Sequence, residues 1–403
     1  MRLAYVTQWF EPEPNIIKGL AFVRALHAAG HDVTVITGFP NYPAGRLYPG
    51  YRLRPIQHET IDGVRIVRLP LYPSHDSSSV RRSLNYLSFF ISVLVYLSVR
   101  RSKFDLAYVY HPPITVGFAA ALAGIPFVLD VQDLWPDTIA ATSMWGGSKL
   151  VGPLGAACRF VYRRASAIVA QSEGIRCALV ERGVARGKIS LIYNWAAAEP
   201  ACIERNASGD RPFTLVYGGN FGRAQQLGNL VEAASILARE RPDIRIQLFG
   251  SGIDESDLRC QAQGLGNLTF GGRVPQHEIA RHFADADALL LHLGNDPLFD
   301  ITIPSKTQSY LAMGRPIVAA VNGETAKLLL RSGAAIVVPP ARPADLARAV
   351  IEMADAPPSR RCRMGKTGAD FYRSKLSFSE GMNRTVALID GTYAAVAVGT
   401  GSR

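Results

Sequence analysis

A chain of 403 residues, 48% apolar and with 36 glycines and 25 prolines, is long enough for two domains that each bury a core, and too apolar for a disordered chain. Its five cysteines, Cys158, Cys177, Cys202, Cys260 and Cys362, are far apart and form no C-x-x-C pair, which argues against a disulfide framework or zinc site and for free thiols in a reducing compartment. The net charge of +11 is uneven, a basic excess of nine over residues 1–195 and of two over the remainder; with no zinc finger, RNP-like motif or basic–aromatic interleaving, nucleic acid is not expected, and an anionic membrane or acidic acceptor is.

Arg2–Thr7 reads as a first strand, entered without a basic leader or cleavage site, which predicts a cytoplasmic protein. Gly19–Ala29 reads as a helix closed by Gly30, and His31–Thr37 as the second strand of a βαβ opening. At the mouth of that helix, Gly19 permits close backbone approach and Lys18 offers a cation to a phosphate or an acceptor; the plainer alternative is that both simply begin the helix. Phe39–Tyr51, rich in Pro and Gly and containing Tyr42, reads as a recognition loop or a packed surface loop.

Leu84–Val99 is apolar over 16 residues without a charge, between Arg81 and Arg82 on one side and Arg100, Arg101 and Lys103 on the other. As a helix it measures about 24 Å, short of the roughly 30 Å hydrocarbon core, so spanning is not expected. Two readings remain: a buried helix, or one that dips Phe89 and Phe90 into the cytoplasmic leaflet while Arg81, Arg82, Arg100 and Arg101 meet lipid phosphates.

Asp105–His111 reads as a strand, Thr115–Ala123 as a small-residue helix, and Pro126–Val131 as a strand that delivers Gln132-Asp133-Leu134-Trp135-Pro136-Asp137. Catalytic groups of parallel sheets sit where strands stop, which selects His111, Asp130, Gln132 and Asp133, although Asp133 could instead cap a turn. A helix over Pro153–Ala165, a strand over Ala167–Gln171, Ser172 as N-cap and a strand over Lys188–Trp195 close this half, and the alanine-rich stretch 196–212 reads as a linker.

In the second half, Phe213–Tyr217 runs into a glycine turn, Gly218 to Gln225, followed by a helix over Leu227–Arg239. Such a turn lets a ligand approach the backbone, and the helix start favours a diphosphate. Ile244–Phe249 ends at Gly250-Ser251-Gly252, and Leu268–Phe270 enters Gly271-Gly272-Arg273-Val274. Asp285-Ala286-Asp287 superficially resembles a metal-binding Asp-x-Asp but sits at a helix-to-strand join, and no metal is expected there. Ala288–Leu293 reads as a strand and Gly294–Ile303 as a loop. A helix then starts with Ser305 as N-cap and Lys306 in its first turn, and Gly314 and Pro316 stop it before a strand over Ile317–Val321. A positive helix end, a hydroxyl and a lysine beside the ends of parallel strands fit a phosphate; taken alone, the segment also reads as a solvated helix end. Glu324 opens a helix to Arg331, Pro343–Met353 is another, 378–395 forms a terminal helix, and the tail is expected to be disordered.

Residues 304–318, with Pro304-Ser305-Lys306, a helix ending Tyr310-Leu311-Ala312-Met313-Gly314, then Pro316-Ile317, resemble the donor-site signature of the retaining GT-B glycosyltransferases of family 4, in particular the bacterial O-antigen and colanic-acid branch. Asp133-Leu134-Trp135-Pro136 and Gly219-Asn220-Phe221-Gly222 with Gln225 resemble the same branch, and the likeness runs over residues 1–390. It implies an α/β chain of GT-B type, two Rossmann-like domains facing an interdomain cleft. The acceptor side is 1–195, the linker 196–212, the nucleotide-sugar domain 213–377, and 378–403 a helix returning to the first domain with a tail. The implied reaction is retaining transfer of a sugar from a nucleotide-diphosphate donor, UDP first, to a polyprenyl-diphosphate-linked saccharide in exopolysaccharide, capsule or O-antigen assembly. It would run without metal or other cofactor, at the inner leaflet of the cell membrane.

The same resemblance assigns donor contacts to Gly19, Gly219, Asn220, Arg223, Gln225, Gly250, Arg273, Val274, Ser305, Lys306, Ser309 and Glu324. His111 and Asp133 would position sugar or acceptor, Lys18, Tyr42 and Asp130 would lie on the acceptor side, and Lys306 would stabilise the leaving diphosphate. The chain departs from the family in three places. The paired glutamates would fall at Ile301 and Ser309, the cations of the glycine turn at Asn220 and Gln225, and a histidine near Gln132 is missing. Two rivals are therefore an epimerase of the same fold and a non-catalytic sugar-nucleotide or membrane-binding protein.

Overall fold

Segments such as Leu106–His111, Phe127–Val131 and Ala288–His292 are apolar at nearly every position, which suits parallel strands covered by helices on both faces and not a half-wet sheet. The computed structural model describes residues 1–401 except 16, 76–77, 112, 138–150 and 197–210. It divides into two units, Met1–Tyr193 with Gly381–Arg403, and Asn194–Glu380. Most of the expected linker 196–212 lies outside the described residues.

The first unit is built on eight strands: β1 (Arg2–Val6), β2 (Asp32–Gly38), β3 (Gln57–Ile61), β4 (Val64–Leu69), β5 (Leu106–His111), β6 (Phe127–Val131), β7 (Ala167–Ala170) and β8 (Ile189–Leu191). Their order is β3-β4-β2-β1-β5-β6-β7-β8, parallel except for the β3–β4 pair. β1 lies between β2 and β5, with Tyr5 opposite Val35 and Tyr108, so the winding reverses there and opens a crevice at the strand ends. The β3–β4 hairpin was not expected. Its turn is Asp62-Gly63, both at positive φ (48° and 80°), an Asp-Gly hairpin signal legible in the residues themselves.

The helices of this unit are α1 (Leu20–Ala28), α2 (Ser79–Arg100), α3 (Ile114–Ala123), α4 (Val151–Arg164) and α5 (Glu173–Glu181), the last capped as expected by Ser172, whose Oγ accepts from Ile175 N at 3.0 Å. α2 outruns its apolar stretch because Ser78 caps it, Oγ accepting from Arg81 N at 3.4 Å. Phe89, Val93 and Leu97 are fully buried on its inner face, and Phe90 is half-buried. Phe89 is thus a core residue and not a lipid contact: the helical period turns it inward, four residues from Asn85 and Val93.

At the centre of this unit Lys18 and Asp130 form a buried ion pair, Nζ to Oδ2 3.0 Å, with side chains 1% and 0% exposed. Tyr108 donates its hydroxyl hydrogen to Asp130 Oδ2 at 2.6 Å, Gln132 Nε2 donates to Oδ1 at 2.6 Å, and Lys18 Nζ lies 4.8 Å from the Phe22 ring centroid. The Lys18 and Asp130 charges are matched to one another inside the core, so removing one partner strands the other.

The second unit has six parallel strands, β9 (Thr214–Gly218), β10 (Arg245–Phe249), β11 (Leu268–Gly272), β12 (Ala288–His292), β13 (Ile317–Ala320) and β14 (Ala335–Val338), ordered β11-β10-β9-β12-β13-β14. Its helices are α6 (Gly228–Glu240), α7 (Glu255–Gln261), α8 (Gln276–Asp285), α9 (Pro297–Asp300), α10 (Ser305–Ala312), α11 (Gly323–Ser332), α12 (Pro343–Asp355) and α13 (Pro358–Lys375). β9 sits between β10 and β12, a second point where the winding reverses. Asp287 is structural: it accepts from Thr214 N at 3.1 Å and pairs with Arg211 at 3.5 Å.

Three expectations need correction here. The segment 294–303 is not all loop, since Asp296 caps α9 through Leu298 N at 2.8 Å with Pro297 in the first turn. α13 fills a stretch that carried no predicted element. The final helix, α14 (Phe378–Gly401), continues through residues read as a disordered tail, with no proline to interrupt it.

Substituting Lys18→Met or Asp130→Asn alone should cost about 3–5 kcal/mol, with the double variant losing clearly less than the sum. Denaturant unfolding of the three variants measures this, and additive losses would show the two groups to be uncoupled.

Candidate functional site

In the second unit the strands β9, β10 and β11 each end in a glycine turn, and the three turns lie against one another. Gly219 N donates to Phe249 O at 2.8 Å, Phe221 N to Ser251 O at 2.9 Å, and Gly250 N to Gly272 O at 2.7 Å. Gly219 and Gly250 have φ of +147° and +137°, and a Cβ on either would collide, with the Lys306 side chain in the first case and with Gly219 O in the second. Only glycine lets the backbone pass so close.

The stacked turns form one wall of a pocket of about 580 Å³. Phe249, Ile279 and Phe283 supply its apolar lining, Asn220 and Arg273 its polar rim, and Lys306 its cation. Tyr310, from α10, ties the arrangement together: its hydroxyl accepts from Gly218 N at 3.1 Å while the strand end stays buried against it.

Lys306 is the electrostatic centre of this pocket. Its Nζ donates to the Tyr217 hydroxyl at 2.6 Å and lies 4.0 Å from the Tyr217 ring centroid, and Tyr217 in turn donates to Asn220 O at 2.7 Å. No acidic side chain pairs with Lys306 among the described residues. Burial without a counter-ion pulls the ammonium from its ordinary 10.5 down to about 7, and burial pushes the Tyr217 hydroxyl up, so Tyr217 stays a neutral acceptor. A cation held this way gains most when an anion enters.

Of the residues predicted from sequence, Gly219, Asn220, Gly250, Arg273, Val274 and Lys306 line this one pocket. The others stand apart from its lining. Ser305 is exposed and is the first helical residue; Pro304 occupies the N-cap position, so Ser305 does not cap the helix, its own backbone being already helical. Ser309 donates its hydroxyl hydrogen to Ser305 O at 3.2 Å. Arg223 is exposed, Gln225 spends Oε1 on Gly222 N at 3.3 Å, and Glu324 is buried against Lys327 at 3.1 Å. Tyr217 and Tyr310 were not anticipated; the signal was a tyrosine just before the glycine pair, and another five residues after Ser305.

In the first unit the predicted residues separate into buried and accessible groups. Lys18 and Asp130 neutralise one another in the core and are closed to an acceptor, which corrects their acceptor-side assignment. Gly19 is the N-cap of α1, and its close approach is to Asn15 O and Glu11 of its own loop. His111 is fully buried, its ring 6.0 Å from that of Trp135, with neither ring nitrogen hydrogen-bonded among the described residues. Burial lowers it to about 3, so the ring is neutral.

Asp133 differs. It is half-buried, its carboxylate meets no hydrogen-bond partner among the described residues, and burial raises that carboxyl above the ordinary 3.8. Tyr42 stands half-buried between Trp9 and His75, ring centroids 5.5 and 4.5 Å away. Its loop is pinned by Glu13, whose Oε1 accepts from Asn41 N and Tyr42 N, both at 2.7 Å, and whose burial lifts it to about 7.

Residues 20–195 match the family described as a glycosyl transferase 4-like domain, and residues 212–356 that described as glycosyl transferases group 1. The chain is 28% identical over 331 residues to WcaI of Escherichia coli K12, a glycosyl transferase named for colanic acid biosynthesis, covering 75% of this chain and 78% of that protein. Among solved structures, sucrose-phosphate synthase from Thermosynechococcus elongatus superposes with a TM-score of 0.67 at 16% identity, covering 98% of this chain and 99% of its own. Anabaena HepE, determined with UDP, gives 0.64 at 14% identity, covering 97% and 100%. Both share the GT-B fold with this chain.

Gly219→Ala is expected to dislodge Lys306 from Tyr217, returning the amine toward ordinary lysine titration. The rate of amine-selective labelling at Lys306 followed against pH reads this out; a midpoint staying near that of the unsubstituted protein would contradict the contact.

Proposed function

Because the chain belongs to the GT-B glycosyltransferases of family 4, we propose that the pocket around Lys306 binds the diphosphate of a nucleotide-sugar donor, UDP-linked, and that the sugar passes with retention of configuration to a saccharide carried on polyprenyl diphosphate. The observation that carries this is a desolvated ammonium without a carboxylate partner, set among three glycine turns. The likeness to a protein named for colanic acid biosynthesis supports a saccharide acceptor in exopolysaccharide, capsule or O-antigen assembly, and UDP in the HepE structure supports the base.

In this reading the glycine turns let the diphosphate reach the backbone, and Lys306 meets the negative charge that grows on the leaving phosphate as the anomeric C–O bond breaks. The positive N-terminal end of α10 adds to that field. Because the two cations that the family sets on the phosphates fall here at Asn220 and Gln225, Lys306 bears more of the charge neutralisation. In the first unit Asp133 is the carboxylate suited to accept the proton of the acceptor hydroxyl, being partly desolvated and otherwise unengaged.

Lys306→Ala should weaken UDP binding by about 10- to 100-fold, as expected for loss of one charge-assisted contact, with little change for uridine. The pH dependence follows from the lysine's position near 7. The bound anion favours the ammonium, so above pH 7 the free protein must take up a proton to bind, and UDP affinity should fall as pH rises, by at most about tenfold per unit. Calorimetry in buffers of different ionisation enthalpy measures the uptake; its persistence in Lys306→Ala, or equal losses for UDP and uridine, would refute the assignment. Asp133→Asn should lower turnover by about a hundredfold or more while leaving UDP affinity unchanged, measured as sugar transfer to a lipid-linked saccharide.

A further inference from the structure

We propose that the outer face of α2 and the groove beside it seat the first unit on an anionic lipid bilayer, with the helix lying along the surface. The carrying observation is an apolar stripe on the side of α2 away from the core. Val80, Leu84, Leu87, Ile91, Val95 and Val99 are 45 to 73% exposed, at spacings of three and four residues that place them on one helical face. Large aliphatic side chains in such a row mark an interaction surface.

The opposite face fixes the helix to the protein. Phe89, Val93 and Leu97 are in the core, and Asn85 Nδ2 donates to Tyr72 O at 2.7 Å. Gln8 Nε2 donates to Asn85 Oδ1 at 2.5 Å, and Ser92 Oγ to Pro70 O at 2.7 Å. By length and composition Val80–Lys103 could cross a membrane, but a helix tied down along one side by these groups rests on a bilayer instead of passing through it.

Next to the stripe, Ile56, Leu69, Pro70, Ile91, Val95 and Val99 line an apolar groove of about 380 Å³, wide enough for part of a hydrocarbon chain. Leu53 and Ile56, 48% and 42% exposed, extend the apolar area beyond it.

Charge selects the partner. No acidic residue occurs from 77 to 104, while Arg100, Arg101 and Lys103 stand at one end of the stripe and Arg81 and Arg82 at the other; Arg52 and Arg54 directly precede Pro55 and Ile56, which share the groove with Val99 and Arg100. Arg52, Arg54, Arg100, Arg101 and Lys103 form no ion pair among the described residues. Apolar side chains bracketed by cations fit acyl chains below and lipid phosphates around them. A second copy of the chain docked two-fold on this stripe would bring arginines against arginines, which disfavours self-association. This proposal stands independently of the donor pocket.

The test is flotation of the full chain with vesicles of phosphatidylcholine alone and of phosphatidylcholine mixed equally with phosphatidylglycerol. The unsubstituted protein should float with the mixed vesicles and be released by salt. Two variants, Leu87→Ser/Ile91→Ser/Val95→Ser and Arg52→Gln/Arg54→Gln/Arg100→Gln/Arg101→Gln, should each partition at least about tenfold less, with thermal midpoint and UDP stabilisation unchanged. Should the serine variant unfold, the arginine variant and the salt release of the unsubstituted protein decide. No flotation of the unsubstituted protein, equal flotation of a folded variant, or a concentration-dependent dimer abolished by the serine variant would each overturn the proposal; failure of UDP to stabilise the protein would bear on the donor pocket alone.

Discussion

The contact between the Lys306 ammonium and Tyr217 organises the second unit. An ammonium set 4.0 Å over a ring and bonded to one neutral hydroxyl is solvated far less than in water, and the drop toward pKa 7 expresses that cost. Several otherwise unrelated features follow from it. Gly219 must lack a Cβ because the lysine occupies that space, and Gly250 must lack one because Gly219 O does. Tyr310 must hold Gly218, since a shift of the strand end would carry Tyr217 away from the lysine it supports. The residues that look like separate pocket elements are one set of mutually dependent contacts.

This dependence also explains what was legible in the residues alone. Lys306 after Pro304 and the glycines of 218–222 were visible as a phosphate-type arrangement because spacing and residue type carry that information, and the alternation of strands with helices gave both parallel sheets. The roles of Tyr217 and Tyr310 were not visible, because a tyrosine inside an apolar strand or helix reads as core until the partner of its hydroxyl is known. Lys18 and Asp130 misled for the complementary reason. A charged residue at a helix start or a strand end is ordinarily exposed, and only the packing shows the two brought together across 112 positions of chain at 3.0 Å. The Asp62-Gly63 hairpin, by contrast, carried its own local signal, while α9 depended on a single Asp296 cap.

In the first unit, buried carboxylates serve as anchors for backbone. Glu13 holds Asn41 and Tyr42, Glu11 Oε1 accepts from Leu20 N at 2.6 Å, and Arg68, fully buried, reaches Gly38 O at 3.1 Å. Together they fix the loops that follow β1 and β2. A flexible glycine loop at this place would be free to move; the present loop gives that freedom up for defined positions of Trp9 and Tyr42. The raised values of Glu11 and Glu13 are the electrostatic cost of that rigidity, since each carboxylate is desolvated more than its backbone donors compensate. Asp133 remains the carboxylate whose desolvation serves no anchoring bond.

α2 meets two demands within one sequence. Its inner positions, Asn85, Phe89, Val93 and Leu97, recur every four residues and pack as any core helix does. If the outer positions had only to meet water, polar residues would serve better, and the cost of exposed aliphatics would be removed by serine or lysine at any of six places. Instead the apolar character is kept on both faces while acidic residues are missing throughout and cations collect at the ends. A folding requirement accounts for the inner row alone. The outer row is what the proposed bilayer contact would use, and the polar anchors at Asn85 and Ser92 determine which way that row points.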